Sequence, residues 1–176
     1  MPLVPPKLSF PTLTAYLGEK GLQQFLECGE GPFYDQEDQM VALAKFDGAL
    51  HKACQSTNPI RARKEAEAYW QEGCEGLVFR LHESCTLLHL PYKVHTYYDA
   101  VQVGAKAQLQ KGDAFLLCFR GPHGSEYQSL EDSEWQLISR LSRGACLADA
   151  FEGLDIDELL CGFEFWVLEG LISPDA

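Results

Sequence analysis

Apolar positions follow two rhythms along this chain, and the change from one to the other falls near residue 76. Before it the spacing is helical. Leu22, Phe25 and Leu26 sit three and four residues apart, and the Gly29-Glu30-Gly31-Pro32 cluster closes that element. From about Gln36 to Gln55, the positions Met40, Leu43, Ala44, Phe46, Ala49, Leu50 and Ala53 keep the 3.6-residue period of an amphipathic helix. Asn58-Pro59 then supplies a cap residue and a first-turn proline. The helix they open runs to about Gln71, with Ala62, Ala66, Tyr69 and Trp70 on one side.

Beyond Gly76 the pattern becomes strand-like. Residues 77–81 and 86–90 read as two strands joined by His82-Glu83-Ser84-Cys85, and Pro91 closes the second. Residues 92–105 fit either a short helix or an extended segment. A third strand, 114–120, turns at Gly121-Pro122-His123-Gly124 and returns over 125–130. That third strand is apolar on both faces, so each side of its sheet requires a cover. The last 46 residues carry three helical patterns. The first holds Trp135, Ile138 and Leu141 and ends at Gly144; the second rests on Leu147, Ala150 and Phe151. The third starts at Asp155 and runs through Leu159, Phe163 and Val167 to Gly170. The expected fold is α+β: a helical N-terminal region (1–76), then a small antiparallel sheet with a C-terminal winged-helix-like module (77–176).

Charge narrows the function classes. Fourteen basic residues face 26 acidic ones, a formal net charge of −12. Nucleic-acid binders gain most of their affinity by setting Lys and Arg against phosphates. The rival reading of the helical trio, a winged-helix DNA-binding transcription regulator, would use residues 146–152 or 155–171 as its recognition helix. Those stretches hold Asp149, Glu152, Asp155, Asp157, Glu158, Glu164 and Glu169 and no Lys or Arg. An acidic surface suits a basic peptide or the positive face of a protein partner. No run approaches the roughly eighteen apolar residues of a membrane span. The first residues also lack the apolar stretch of a secretory signal, so the expected location is the cytoplasm.

Chemistry-bearing residues do not assemble into a catalytic motif. Seven cysteines at 28, 54, 74, 85, 118, 146 and 161 include no CxxC pair, and several, Cys118 and Cys161 among them, lie in apolar patterns typical of buried thiols. The five histidines lack the spacings of a helical metal site. His82 and Cys85 are close in sequence, but on an expected turn. No glycine cluster forms a phosphate-cradling loop. The reading is of a chain that is not itself an enzyme and holds no metal or cofactor.

The residues resemble a family. Phe115-Leu116-Leu117-Cys118-Phe119-Arg120, Leu130-Glu131-Asp132-Ser133-Glu134-Trp135-Gln136-Leu137-Ile138 and Arg143-Gly144-Ala145-Cys146-Leu147-Ala148-Asp149-Ala150 are similar to the C-terminal half of the HvfC/BufC family. Leu43-Ala44-Lys45-Phe46-Asp47-Gly48-Ala49-Leu50-His51-Lys52-Ala53 and Phe79-Arg80-Leu81-His82-Glu83-Ser84 resemble its middle region. The likeness covers about residues 40–172, without the large N-terminal helical domain of longer members. That shorter build is similar to the partner proteins of methanobactin and thiaglutamate biosynthesis.

The resemblance implies an accessory subunit that forms a heterodimer with a multinuclear non-haem iron oxidative enzyme. The enzyme modifies cysteine in a ribosomally made precursor peptide, and the iron belongs to the enzyme. The accessory chain's C-terminal recognition element binds the peptide's leader along the last strand of its sheet and against its third helix. Carried onto this sequence, that strand is Ser125, Glu126, Tyr127, Gln128 and Ser129. The opposing wall is Glu158, Cys161 and Phe165, at successive turns of the third helix, while Leu130, Phe163 and Val167 are expected in the core. Strand addition to an open sheet border is an independent physical route to the same binding mode. Tyr69 and Trp70 are the expected contacts to the enzyme.

Overall fold

The computed structural model describes residues 12, 15–17, 37–56 and 75–174, and mixes helices with small antiparallel sheets. The elements are α1 (Glu37–Gln55), β1 (Phe79–Leu81), β2 (Thr86–Tyr92), α2 (Val94–Gln102), β3 (Lys111–Gly121), β4 (Gly124–Leu130), α3 (Asp132–Ser142), α4 (Leu147–Phe151), α5 (Ile156–Leu168) and β5 (Ile172–Pro174). Thr12 and Ala15–Leu17 are also helical. The strands form a two-stranded sheet, β1-β5, and a three-stranded sheet in the order β2-β3-β4. The helix expected over 58–71 lies outside the described residues.

The chain divides into two compact units, each discontinuous in sequence: residues up to 52 with 88–114, and residues 53–87 with 115–176. The sequence reading divided the chain once, at residue 76. In the first unit α1 buries Met40, Leu43, Phe46, Ala49 and Leu50 of the stripe its period predicts, together with Ala42, while Ala44 is half-buried; Ala53, also buried, falls in the second unit. Phe46 meets Tyr98 of α2 edge-on, ring centroids 5.4 Å apart. Asp47 is buried on the same helix, and its Oδ2 accepts the Thr12 backbone N–H at 3.1 Å. Residues 92–105, open to two readings in sequence, contain α2.

The second unit has one continuous core. Phe79, Leu117, Phe119, Leu130, Leu137, Ile138, Leu141, Leu147, Phe151, Leu159, Phe163, Trp166, Val167 and Ile172 pack together, and Phe163 stands edge-on to both Phe79 and Phe151. Burying a side chain of that size contributes about 1.5–3 kcal/mol, which sets the order of helices against sheet. Asp155 caps α5, its Oδ1 accepting the N–H groups of Asp157 and Glu158 at 3.1 and 3.4 Å. Helix α4 needs no side-chain cap: the carbonyls of Leu77 and Glu75 accept the N–H groups of Leu147 and Ala148 at 2.8 and 3.0 Å.

Two strand expectations are corrected. Residues 77–81 and 86–90 do not pair with each other. Strand β1 pairs antiparallel with β5, Arg80 opposite Ser173, and the His82 N–H continues the ladder to the Leu171 carbonyl at 2.8 Å. Pro91 does not close the second strand but lies inside β2. Among the described residues β2 is a border strand of its sheet, and a proline is tolerated on the outer side of such a strand.

Candidate functional site

Strand β4 is the other border of the three-stranded sheet. Among the described residues β3 is its only paired strand. The hairpin register sets Gly121 opposite Gly124, Phe119 opposite Glu126, Cys118 opposite Tyr127, Leu117 opposite Gln128 and Leu116 opposite Ser129. A two-residue loop, here Pro122-His123, closes on a hydrogen-bonded pair, and pair types alternate from there. Glu126 and Gln128 therefore exchange bonds with β3. The backbone N–H and C=O groups of Ser125, Tyr127 and Ser129 point toward the outer border.

Side chains alternate across the same strand. Phe115, Leu117 and Phe119 pack into the helical core, so their partners Leu130, Gln128 and Glu126 share the helix-side face. Ser125, Tyr127 and Ser129 lie together on the opposite face. Gln128 is committed to the fold: its Oε1 accepts the indole N–H of Trp166 at 2.9 Å, which ties α5 to β4. Glu126 folds back along the hairpin. A Cβ added at Gly121 would overlap its carboxylate, so glycine there leaves room for that carboxylate at the start of the strand.

Helix α5 carries the other sequence-selected residues. Leu159, Phe163, Trp166 and Val167 are buried, as expected for Phe163 and Val167, and Leu130 on β4 is also core. Gly162 turns toward α3, where an added Cβ would come within 2.9 Å of Glu134 Oε1. Glu134 in turn accepts the Glu131 N–H at 2.8 Å at the start of α3. At about 100° per residue, Glu169, Glu158, Phe165, Cys161 and Leu168 follow Gly162 around the helix, away from the core. All five are exposed, Phe165 at 41% and Leu168 at 39%. Cys161 thus departs from the buried thiol its apolar neighbours suggest. The sequence-selected residues fall on two elements joined by the Gln128–Trp166 bond, while Tyr69 and Trp70 lie outside the described residues. Sequence reasoning missed Leu168, Glu169 and Gly121. For the first two the signal was present, because they continue the outward side of the helix.

Several other chemistry-bearing groups are engaged in the fold. Ser84 is buried and holds His82 inside the turn: Ser84 Oγ lies 2.8 Å from His82 Nδ1, and the Ser84 N–H points to that nitrogen at 3.2 Å. Cys85 donates its S–H to the Leu171 carbonyl at 3.7 Å. Burial, and secondarily the Cys85 thiol, push the Cys118 thiol up to about 12, far from the thiolate a nucleophile needs. His89 pairs with Asp113 at 2.8 Å on the surface. Among the described residues no three His, Cys, Asp or Glu side chains gather at metal-binding distance, and no helix is long and apolar enough to cross a membrane. No family model and no curated protein sequence matches the chain.

Proposed function

We propose that this chain is a non-catalytic binding subunit with a winged-helix-like recognition module. It captures an extended peptide along the outer border of β4 and presents it to a separate iron-dependent oxidative enzyme in the cytoplasm. The observations that support the reading are that β4 pairs only with β3 among the described residues, and that α5, tied to β4 by the Gln128–Trp166 bond, leaves Cys161, Phe165 and Leu168 exposed. A peptide strand there would bond its main chain to the outward groups of Ser125 and Ser129. The likeness to HvfC/BufC partner proteins names the enzyme class and makes the peptide a ribosomal precursor's leader. Holding the leader raises the effective concentration of the modifiable segment at the enzyme.

No observation favours the DNA-binding alternative. Helices α4 and α5 carry acidic residues and no base, and Arg140 on α3 is engaged by the carbonyls of Ala150 and Glu152 at 3.0 and 2.6 Å.

The test is calorimetric titration of peptides selected from a random linear library against wild type and Ser129→Pro. Proline at 129 removes an outward N–H but no bond to β3. Affinity should fall about tenfold or more, roughly 1.4 kcal/mol, with little change in the unfolding midpoint. Unchanged affinity would move the binding site off β4.

A further inference from the structure

Residues 88–114, part of the first unit, depart from the acidity of the chain: Lys93, Lys106 and Lys111 stand there against Asp99 and Asp113, and Asp113 is engaged by His89 at 2.8 Å. A cavity of about 790 Å³ is lined by Thr96 of α2 and by residues 106–111, the segment that leads into β3. We infer that this cavity binds a small molecule bearing a diphosphate. Its donors are uncommitted. Lys106 and Lys111 are exposed, and neither meets a carboxylate among the described residues. The side-chain amides of Gln108 and Gln110 make no hydrogen bond among the described residues either. The Thr96 hydroxyl, by contrast, is spent on the Lys93 carbonyl at 2.8 Å. Lys93 is held alongside: its N–H donates to the Gln110 carbonyl at 2.9 Å, and its stem passes Gly112, where an added Cβ would lie 3.3 Å from the Lys93 Cε.

The count of donors selects the ligand. Each ammonium offers three N–H groups and each glutamine amide two, more than the two oxygens of a carboxylate can use. A phosphate group presents three acceptor oxygens and nearly two charges. Lysine also meets phosphate well as a point charge, whereas the planar fork that matches a carboxylate belongs to arginine. The two lining lysines are separated by four residues, and the cavity is of the size that holds a small molecule rather than a lone ion, about 300–1,000 Å³. Both facts call for more than one anionic group. Ala107 and Leu109 supply the apolar part of the lining, against which an organic body can rest.

The experiment is calorimetric titration of the full chain with pyrophosphate, inorganic phosphate and citrate at one ionic strength. Pyrophosphate should bind at a single site, more tightly than inorganic phosphate or citrate. The Lys106→Gln/Lys111→Gln variant should lose roughly tenfold or more in pyrophosphate affinity. Because both lysines are exposed, its unfolding midpoint should stay that of wild type. Lys45→Gln, which removes an exposed lysine of α1 in the same unit, should change the affinity by no more than about twofold, the effect of a screened charge. Absence of saturable heat with pyrophosphate, or equal losses in the two variants, would overturn the site. Citrate binding as tightly as pyrophosphate would overturn the diphosphate assignment.

Discussion

The two sides of α5 are made of similar residues in opposite circumstances. Phe163 and Trp166 point inward, at 1% and 0% exposure, among the rings and aliphatics of the second unit's core. Phe165, one residue from Trp166 and two from Phe163 and apolar like them, is 41% exposed, and Cys161 and Leu168 on the same side are exposed too. Composition along the helix does not distinguish these sides; the partner each one meets does. The inward side holds the fold together, and the outward side keeps exposed apolar residues bordered by carboxylates. That asymmetry is the physical basis for reading α5 as structural on one side and as part of a recognition surface on the other.

The largest expected effect separates the sides directly. Phe163→Ala removes a ring that meets both Phe79 and Phe151 and should cost about 3–5 kcal/mol in denaturant unfolding. Phe165→Ala should stay within about 0.5 kcal/mol of wild type while weakening capture of a selected peptide. Equal destabilisation by the two would erase the distinction. A smaller effect comes from the start of the helix. Asp155→Ala leaves the N–H groups of Asp157 and Glu158 without their cap and should cost about 1 kcal/mol; Asp155→Asn should recover most of it, because its side-chain oxygen still accepts.

Thiol chemistry sharpens the same contrast between buried and outward positions. Cys161 should react with iodoacetamide in the folded chain and become protected when peptide is bound, whereas Cys118 should react only on unfolding. Burial raises the Cys118 pKa from 9.0 to about 12. Between those values the unfolded chain releases a proton that the folded chain retains, so stability present below pH 9 is lost as pH rises toward 12. Unfolding midpoints measured on either side of pH 9 should fall for wild type and fall less for Cys118→Ala. An equal decline in the two would remove Cys118 as a source of the alkaline loss.

How far the sequence alone leads depends on the range of the interaction that decides each element. The period of α1, the hairpin at Gly121–Gly124 and the three C-terminal helices are set by local patterning, caps and glycines, and their limits were legible to within a few residues. The positive φ of Gly144, Gly153 and Gly170 marks the helix ends that the glycines indicated. The β1–β5 pairing was not legible. It joins residues more than ninety positions apart through strands of three residues, too short to carry an alternating pattern. The capping of α4 was hidden for a related reason, because the acceptors are the distant backbone carbonyls of Glu75 and Leu77. At the candidate site, sequence located the strand and the helix. It did not reveal that Gln128 is bound to Trp166, or that Tyr127 and Glu126 serve opposite faces, since both facts depend on the register and on how α5 packs.

Amide hydrogen exchange, read residue by residue with and without a selected peptide, tests the border of β4 most directly. In the free chain the amides of Ser125 and Ser129, which make no bond to β3, should exchange faster than those of Glu126 and Gln128. Bound peptide should slow them to the rate of their neighbours and leave α4 unaffected. Peptide binding that slows amides elsewhere and leaves Ser125 and Ser129 unchanged would contradict capture along this strand.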